Sequence, residues 1–292
     1  MRAESDLAKL KAFMVALGQQ VRGGGRIYLT GGATALLHGW RAMTIDIDLK
    51  PDPEPLGLFE SLATLKDQLD INVKLASPDQ FIPAIPGWRE RSLFIARHGS
   101  IEFFHYDPYG QALSKLQRRH DRDLQDVRSM LRAKLIAQDR LREMFTLIKP
   151  QLIRYPAIDP ASFEGAVLEF TQPDSQLPTL NGLMSPDELM TGLPGEALLR
   201  KGLADFQSGR CTVPACLVSM AQSRLRRAGL IAGVVPNCFA EPERQLYRLL
   251  REEGGDAYSR YNALIRELVS FEQALDRRQN KKLKAASEKA QT

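Results

Sequence analysis

The sequence predicts an α+β chain with about five strands followed by an all-helical module, and three observations predict it. Up to residue 106, five short apolar or alternating segments are separated by glycine and proline turns. From Pro108 onward the apolar residues recur at helical spacing. Between 171 and 186, proline, serine, aspartate and glycine cluster as in a linker. The expected organisation is therefore a first domain over 1–170, a linker over 171–186 and a helical module with a basic tail over 187–292.

The elements follow in order. Leu7, Leu10, Phe13, Met14 and Leu17 make one helical stripe, which the glycines at 23–25 end. Residues 26–30 read as a short buried strand broken by Gly31 and Gly32, and 33–38 as a short helix. Alternation makes 44–49 a second strand. Pro51, Pro53 and Pro55 form a stiff connector to a helix over 56–69. A third strand is expected over 70–75, and 92–97 with 101–106 flank a turn as a hairpin. Helices are expected over 111–119, 121–137 and 141–153, then over 189–206, 213–228, 241–252 and 257–274.

Of 292 residues, 43% are hydrophobic and 26% charged, the balance of a folded globular chain rather than a disordered one. No run approaches the roughly 20 apolar residues of a membrane span. The N-terminus lacks the apolar stretch of a signal peptide, so the cytoplasm is the expected compartment. Three cysteines are too few for a disulfide scaffold, and no histidine follows His120 to complete a zinc site at Cys211 and Cys216. The net charge of +5 permits a polyanionic partner without requiring one. The basic tail over 276–292 reads as a frayed, solvated helix end, with a nucleic-acid arm as the alternative.

Chemistry concentrates between Thr30 and Leu49. Gly31 and Gly32 follow a strand and open a helix, where backbone without a β-carbon can approach a phosphate closely. Asp46 and Asp48 lie at i and i+2 on an expected strand, so both carboxylates point to one face, about 7 Å apart along it. Such a pair can share a hard cation, Mg²⁺ in the first instance or Mn²⁺, together with substrate phosphates. Buried between Ile45, Ile47 and Leu49 without a cation or partner, these acids would be costly. A phosphate cradle beside paired carboxylates is what metal-assisted nucleotidyl transfer requires.

The ordered set Gly31, Gly32, Arg41, Thr44, Asp46, Asp48 resembles the signature of the nucleotidyltransferase fold, shared by DNA polymerase beta and minimal nucleotidyltransferases. That resemblance implies a mixed sheet flanked by helices. It is similar, more narrowly, to the bacterial branch containing the AbiE-system toxin, where Gly-Gly replaces Gly-Ser and an Arg and a Ser or Thr precede the acidic pair. A second segment carries the same likeness: Lys115 on a helix, then Arg122, Asp123 and Asp126. The resemblance, which covers about 25–150, places Gly31, Gly32, Arg41, Thr44, Lys115 and Asp123 at the nucleotide. It implies that Lys115 contacts the triphosphate of an NTP and that Asp123 holds Lys115 or the nucleotide. A third carboxylate normally comes from the neighbouring strand and accepts the proton of the attacking hydroxyl. Here Asn72 stands at the central position, with Asp70 the candidate if the register slips by two, and Glu102 another. His38, His98, His105 and His120 are scattered and read as structural or surface residues.

Two functions remain open at this stage. One is a Mg²⁺-dependent nucleotidyltransferase, with Asp46, Asp48 and Asp70 as catalytic acids and, as the resemblance implies, tRNA or protein as acceptor. The resemblance implies a toxin–antitoxin or phage-defence setting, with a toxin or antitoxin partner. The other is a degenerate transferase acting as a binding or antitoxin-like partner, for which Asn72 speaks. Arg224, Arg226 and Arg227 would then mark a docking or inhibitory element, or simply a solvated helix face.

Overall fold

The computed structural model describes residues 4–171, 185–231 and 241–290. In chain order its strands and helices are β1 (Ser5–Asp6), α1 (Leu7–Gln20), β2 (Gly25–Thr30), α2 (Gly31–Leu37), β3 (Met43–Thr44), β4 (Ile47–Pro51), α3 (Leu58–Gln68), β5 (Val73–Leu75), α4 (Trp88–Arg91), β6 (Leu93–His98), β7 (Ile101–His105), α5 (Pro108–Arg118), α6 (Asp121–Arg132), α7 (Gln138–Ile148), α8 (Pro160–Thr171), α9 (Pro186–Met190), α10 (Glu196–Gln207), α11 (Val213–Met220), α12 (Gln222–Arg227), α13 (Pro242–Glu252) and α14 (Ala257–Ala290). The chain divides into two compact units. One comprises Met1–Ser114 and Asp126–Tyr155; the other comprises Lys115–Gln125 and Pro156–Thr292.

In the first unit a five-stranded mixed sheet runs in the order β5-β4-β2-β7-β6. β2 is antiparallel to β4 and parallel to β7, β4 is parallel to β5, and β6 and β7 form the expected hairpin. One sheet face is apolar. Ile27, Leu29, Ile47, Leu49, Val73, Ile101 and Phe103 bury against Leu10, Phe13 and Leu17 of α1 and Leu58, Leu62 and Leu65 of α3. Each such side chain contributes about 1.5–3 kcal/mol by leaving water. Asp6 accepts a hydrogen bond from the Lys9 N–H and so starts α1. The opposite face carries Tyr28, Trp88 and Tyr106 in mutual ring contact.

Two expectations about strands are corrected. The strand expected over 44–49 is two short ones: β3 pairs with β1, β4 pairs with β2, and the chain changes partner at Ile45 and Asp46. Burial nevertheless keeps period two through the break, with Ile45, Ile47 and Leu49 buried and Asp46, Asp48 and Lys50 half-buried. β5 begins at Val73 rather than residue 70. Asp70 sits in the turn after α3 at φ +50°, in the left-handed region, so the chain there cannot be extended strand.

The second unit is helical in its described residues. α10 packs on α11, α11 on α13, and α8 and α9 on α14. Ser185 and Glu188 form a reciprocal cap at the start of α9, and Thr212 caps α11. Residues 172–184 of the expected linker lie outside the described residues. α14 continues past the expected end at 274 because Phe271, Leu275 and the polar Glu272, Asp276 and Gln279 are buried along one stripe.

That stripe holds a network of buried charges around the corner between α5 and α6. Arg224 is 3% exposed, which corrects its reading as a solvated residue. It donates to the carbonyls of Arg118 (3.0 Å) and Gln117 (3.2 Å), the last turn of α5, and pairs with Glu272 (2.9 Å) and Asp276 (3.1 Å). Arg227 pairs with Asp276, whereas Arg226 is exposed. His120 Nε2 lies 3.1 Å from Glu272. Burial alone would lower the His120 pKa; the Glu272 and Asp123 carboxylates together outweigh it and raise it.

Candidate active site

The site grows from the turn that ends β2. Gly31 has φ +57°, and a β-carbon there would lie 2.8 Å from Asp48 Oδ2. A β-carbon on Gly32 would lie 2.0 Å from Thr44 Oγ1 and 3.7 Å from Arg41 Nη1. The two glycines are thus required by left-handed backbone at the first and by close approach of a neighbouring side chain at both. The Gly31 N–H donates to Gln111 Oε1 at 3.1 Å, and Gln111 Nε2 donates to the Tyr106 carbonyl at 2.8 Å. The start of α5 therefore steadies the turn, a role for Gln111 that sequence reasoning missed.

The acids stand beside it. Asp48 is in register with Thr30 on β2, the residue before the turn. Asp46 precedes β4, and Thr44 Oγ1 donates to its carbonyl at 3.0 Å. Arg41 forms a two-point ion pair with Asp126, Nε to Oδ1 at 3.1 Å and Nη2 to Oδ2 at 2.5 Å. The pair is largely buried, with side chains 12% and 6% exposed. Arg41 thus finds its partner in Asp126 within the first unit, a pairing that no local pattern announces. Gly31, Gly32, Arg41, Thr44, Asp46 and Asp48 come together around one turn.

The neighbouring strand is equally specific. β4 and β5 are parallel with Ile47 opposite Val73 and Asp48 opposite Lys74. The register does not slip, so Asn72 stands beside Asp46. Asp70 lies outside the strand, its carboxylate 3.7 Å from Lys9 Nζ. Glu102 shares the sheet face but pairs with Arg26 and Arg97, and it is in register with Arg26, four residues along β2 from Thr30. Among the described residues no group of three or more His, Cys, Asp or Glu side chains is placed to hold a metal. Asp46 and Asp48 offer carboxylate oxygens, the donor type that a hard cation takes.

On the apolar side, His105 stacks on His38 at 4.4 Å between ring centroids, and His38 on Trp40 at 4.6 Å. Burial pushes the His105 pKa down to about 4, with the His38 charge adding to the effect. Thr34 Oγ1 lies 3.3 Å from its Nδ1. His105 and His38 are packing residues at α2. Lys50, on the same face as Asp48, donates to Asp79 at 2.6 Å. Burial would raise the Asp79 carboxyl, but its hydrogen bonds from Lys50 and Ser77 prevail and lower it.

Lys115 and Asp123 belong to the second unit, and there they meet. Lys115 Nζ donates to Asp123 Oδ1 at 3.0 Å, as does Arg118 Nη2 at 3.0 Å. Both partners of the Lys115–Asp123 bond are buried. Burial would raise the Asp123 carboxyl; Arg118 and Lys115 together overcome that and hold it well below the usual carboxylate range.

Among the described residues, no helix is long and apolar enough to cross a membrane. No curated protein and no solved structure matches the chain. Residues 6–159 match a family model described as a nucleotidyltransferase of unknown function (DUF6036).

Proposed function

The chain belongs to this family of nucleotidyltransferases, and from that premise we propose that it moves a nucleoside monophosphate from an NTP to a hydroxyl acceptor, using Mg²⁺ or Mn²⁺ held by Asp46 and Asp48. The acceptor hydroxyl oxygen attacks the α-phosphorus and releases its proton to solvent, the bond from that phosphorus to the bridging oxygen breaks, and pyrophosphate leaves. The cation, when bound, supplies charge neutralisation at the phosphates. The Gly31–Gly32 turn lets phosphate oxygens approach the backbone, while Gln111, Thr44 and the Arg41–Asp126 pair keep the turn and the acids in place. Lys115, held by Asp123, carries over from the family pattern as the triphosphate contact. Most of the rate comes from positioning and electrostatics rather than covalent work by the protein.

One observation supports this reading: the left-handed Gly31 lies directly against the Asp48 carboxylate, so an acid stands at the turn we read as the phosphate cradle. Label transfer from an α-³²P-NTP tests it. Wild-type protein should label an acceptor, and Asp46→Ala with Asp48→Ala should abolish transfer, with circular dichroism and a thermal melt showing that the variant is folded. Unchanged transfer in that double variant refutes the mechanism.

The AbiE-like pattern of Gly31, Gly32, Arg41, Thr44, Asp46 and Asp48 supports a toxin–antitoxin or phage-defence role, with tRNA or protein as acceptor and a toxin or antitoxin as partner. A second reading, a degenerate transferase that binds without turnover, is favoured by Asn72 and Lys74 standing where the neighbouring strand meets the acids. Metal-dependent NTP binding with no label transfer to any acceptor would select it.

A further inference from the structure

We infer that Asn72 is a positioning residue for Asp46 and does not merely mark a missing third carboxylate. The inference rests on the reading of Asp46 and Asp48 as metal-holding acids. Asn72 is 2% exposed, and it grips the backbone on both sides of Asp46. Its carbonyl accepts from the Ile47 N–H at 2.8 Å, and its side-chain Nδ2 donates to the Ile45 carbonyl at 3.1 Å. The first is an ordinary rung of the parallel ladder between β4 and β5. The second is the rung that a backbone N–H would supply in a continued parallel ladder, here supplied by the side chain instead.

The chemistry of that rung dictates the residue. The Ile45 carbonyl only accepts, so its partner must donate. An aspartate at 72, ionised at neutral pH, only accepts, and its charge would face a carbonyl oxygen in a buried place. Asparagine is the side chain of that shape that donates. Asp46 lies where the chain leaves the β1–β3 pairing and enters the β4–β2 pairing, and Thr44 Oγ1 already holds its carbonyl. With Thr44 on one side and Asn72 bracketing it, the Asp46 backbone is held in place beyond the end of regular strand. The backbone point from which the Asp46 carboxylate projects is then fixed before any cation arrives, and supporting hydrogen bonds of this kind raise the affinity of a metal site.

The test turns on the sign of an effect. Mn²⁺ binding to the full chain is measured by calorimetry for wild type, Asn72→Asp and Asn72→Ser, with Asp46→Ala/Asp48→Ala as control. Counting charges alone, Asn72→Asp adds a carboxylate beside the site and should tighten Mn²⁺. Positioning predicts the reverse: binding weaker by roughly tenfold or more, with label-transfer kcat reduced and the KM for NTP little changed. Asn72→Ser, which keeps a donor on a shorter arm, should lie between wild type and Asn72→Asp, and it serves as the informative variant if Asn72→Asp does not fold. Mn²⁺ bound as tightly as wild type, or more tightly, by Asn72→Asp, or by Asn72→Ser if it stands in, overturns the inference while leaving the acid pair intact. Mn²⁺ bound equally by wild type and the Asp46/Asp48 double variant overturns the reading of the acids themselves, and this inference with it.

Discussion

Gly32→Ala is the sharpest probe of how the turn is built. Gly32 is the second residue of α2, and helix propensity alone predicts that alanine there stabilises by up to about 1 kcal/mol. The tertiary contact predicts the opposite. The added methyl would lie 2.0 Å from Thr44 Oγ1 and 2.8 Å from Thr44 Cβ, so reaching ordinary contact takes about 1.5 Å of movement. Thr44 cannot swing aside freely. It is 4% exposed, its hydroxyl is bonded to the Asp46 carbonyl, and its backbone pairs with Ser5 in β1. Overpacking of this kind costs about 1–3 kcal/mol, and loss of the Thr44 hydrogen bond adds about 1 kcal/mol. A net cost near 2–3 kcal/mol lowers the melting temperature by roughly 4–12 °C for a unit of this size. Thermal melts of Gly32→Ala, Thr44→Gly and the double variant form the assay. The double variant removes both clashing atoms, so a coupling of about 1–2 kcal/mol should return. A Gly32→Ala protein that melts at or above the wild-type temperature, or a cycle that is simply additive, refutes the account of this turn.

Two further outcomes are expected. Asp126→Ala leaves Arg41 in a poorly solvated place without its two-point partner and should cost about 3–5 kcal/mol by urea unfolding; a loss under about 1 kcal/mol would mean that the pair is no structural tie within the first unit. His105 has its pKa lowered to about 4 from 6.5, so its neutral form favours folding: that stability is complete above pH 6.5 and is lost as pH falls through 4, by about 3 kcal/mol in all. His105→Gln should flatten the fall of melting temperature between pH 7 and 4, and an unchanged slope would assign that acid sensitivity to other groups.

Local chemistry made much of this protein legible in its sequence. The two glycines after an apolar strand, and two acids spaced by two residues between isoleucines and leucine, depend on backbone freedom and period-two geometry, which act over a few residues. The same holds for the hairpin over β6 and β7 and for the helical periodicity of the second unit. Residues far apart in the chain decided the rest. Where β5 begins depends on Asp70 turning left-handed after α3, and the role of Asn72 depends on the Ile45 carbonyl arriving 27 residues away in sequence. Gln111 reaches the Gly31 amide across 80 residues, and Arg41 finds Asp126 across 85. Arg224 looks like any charge on a helix surface until α5 and α14 close around it and supply carbonyls and carboxylates. A buried polar group is satisfied by whatever the fold brings to it, and its partner can be identified only once the chain has folded.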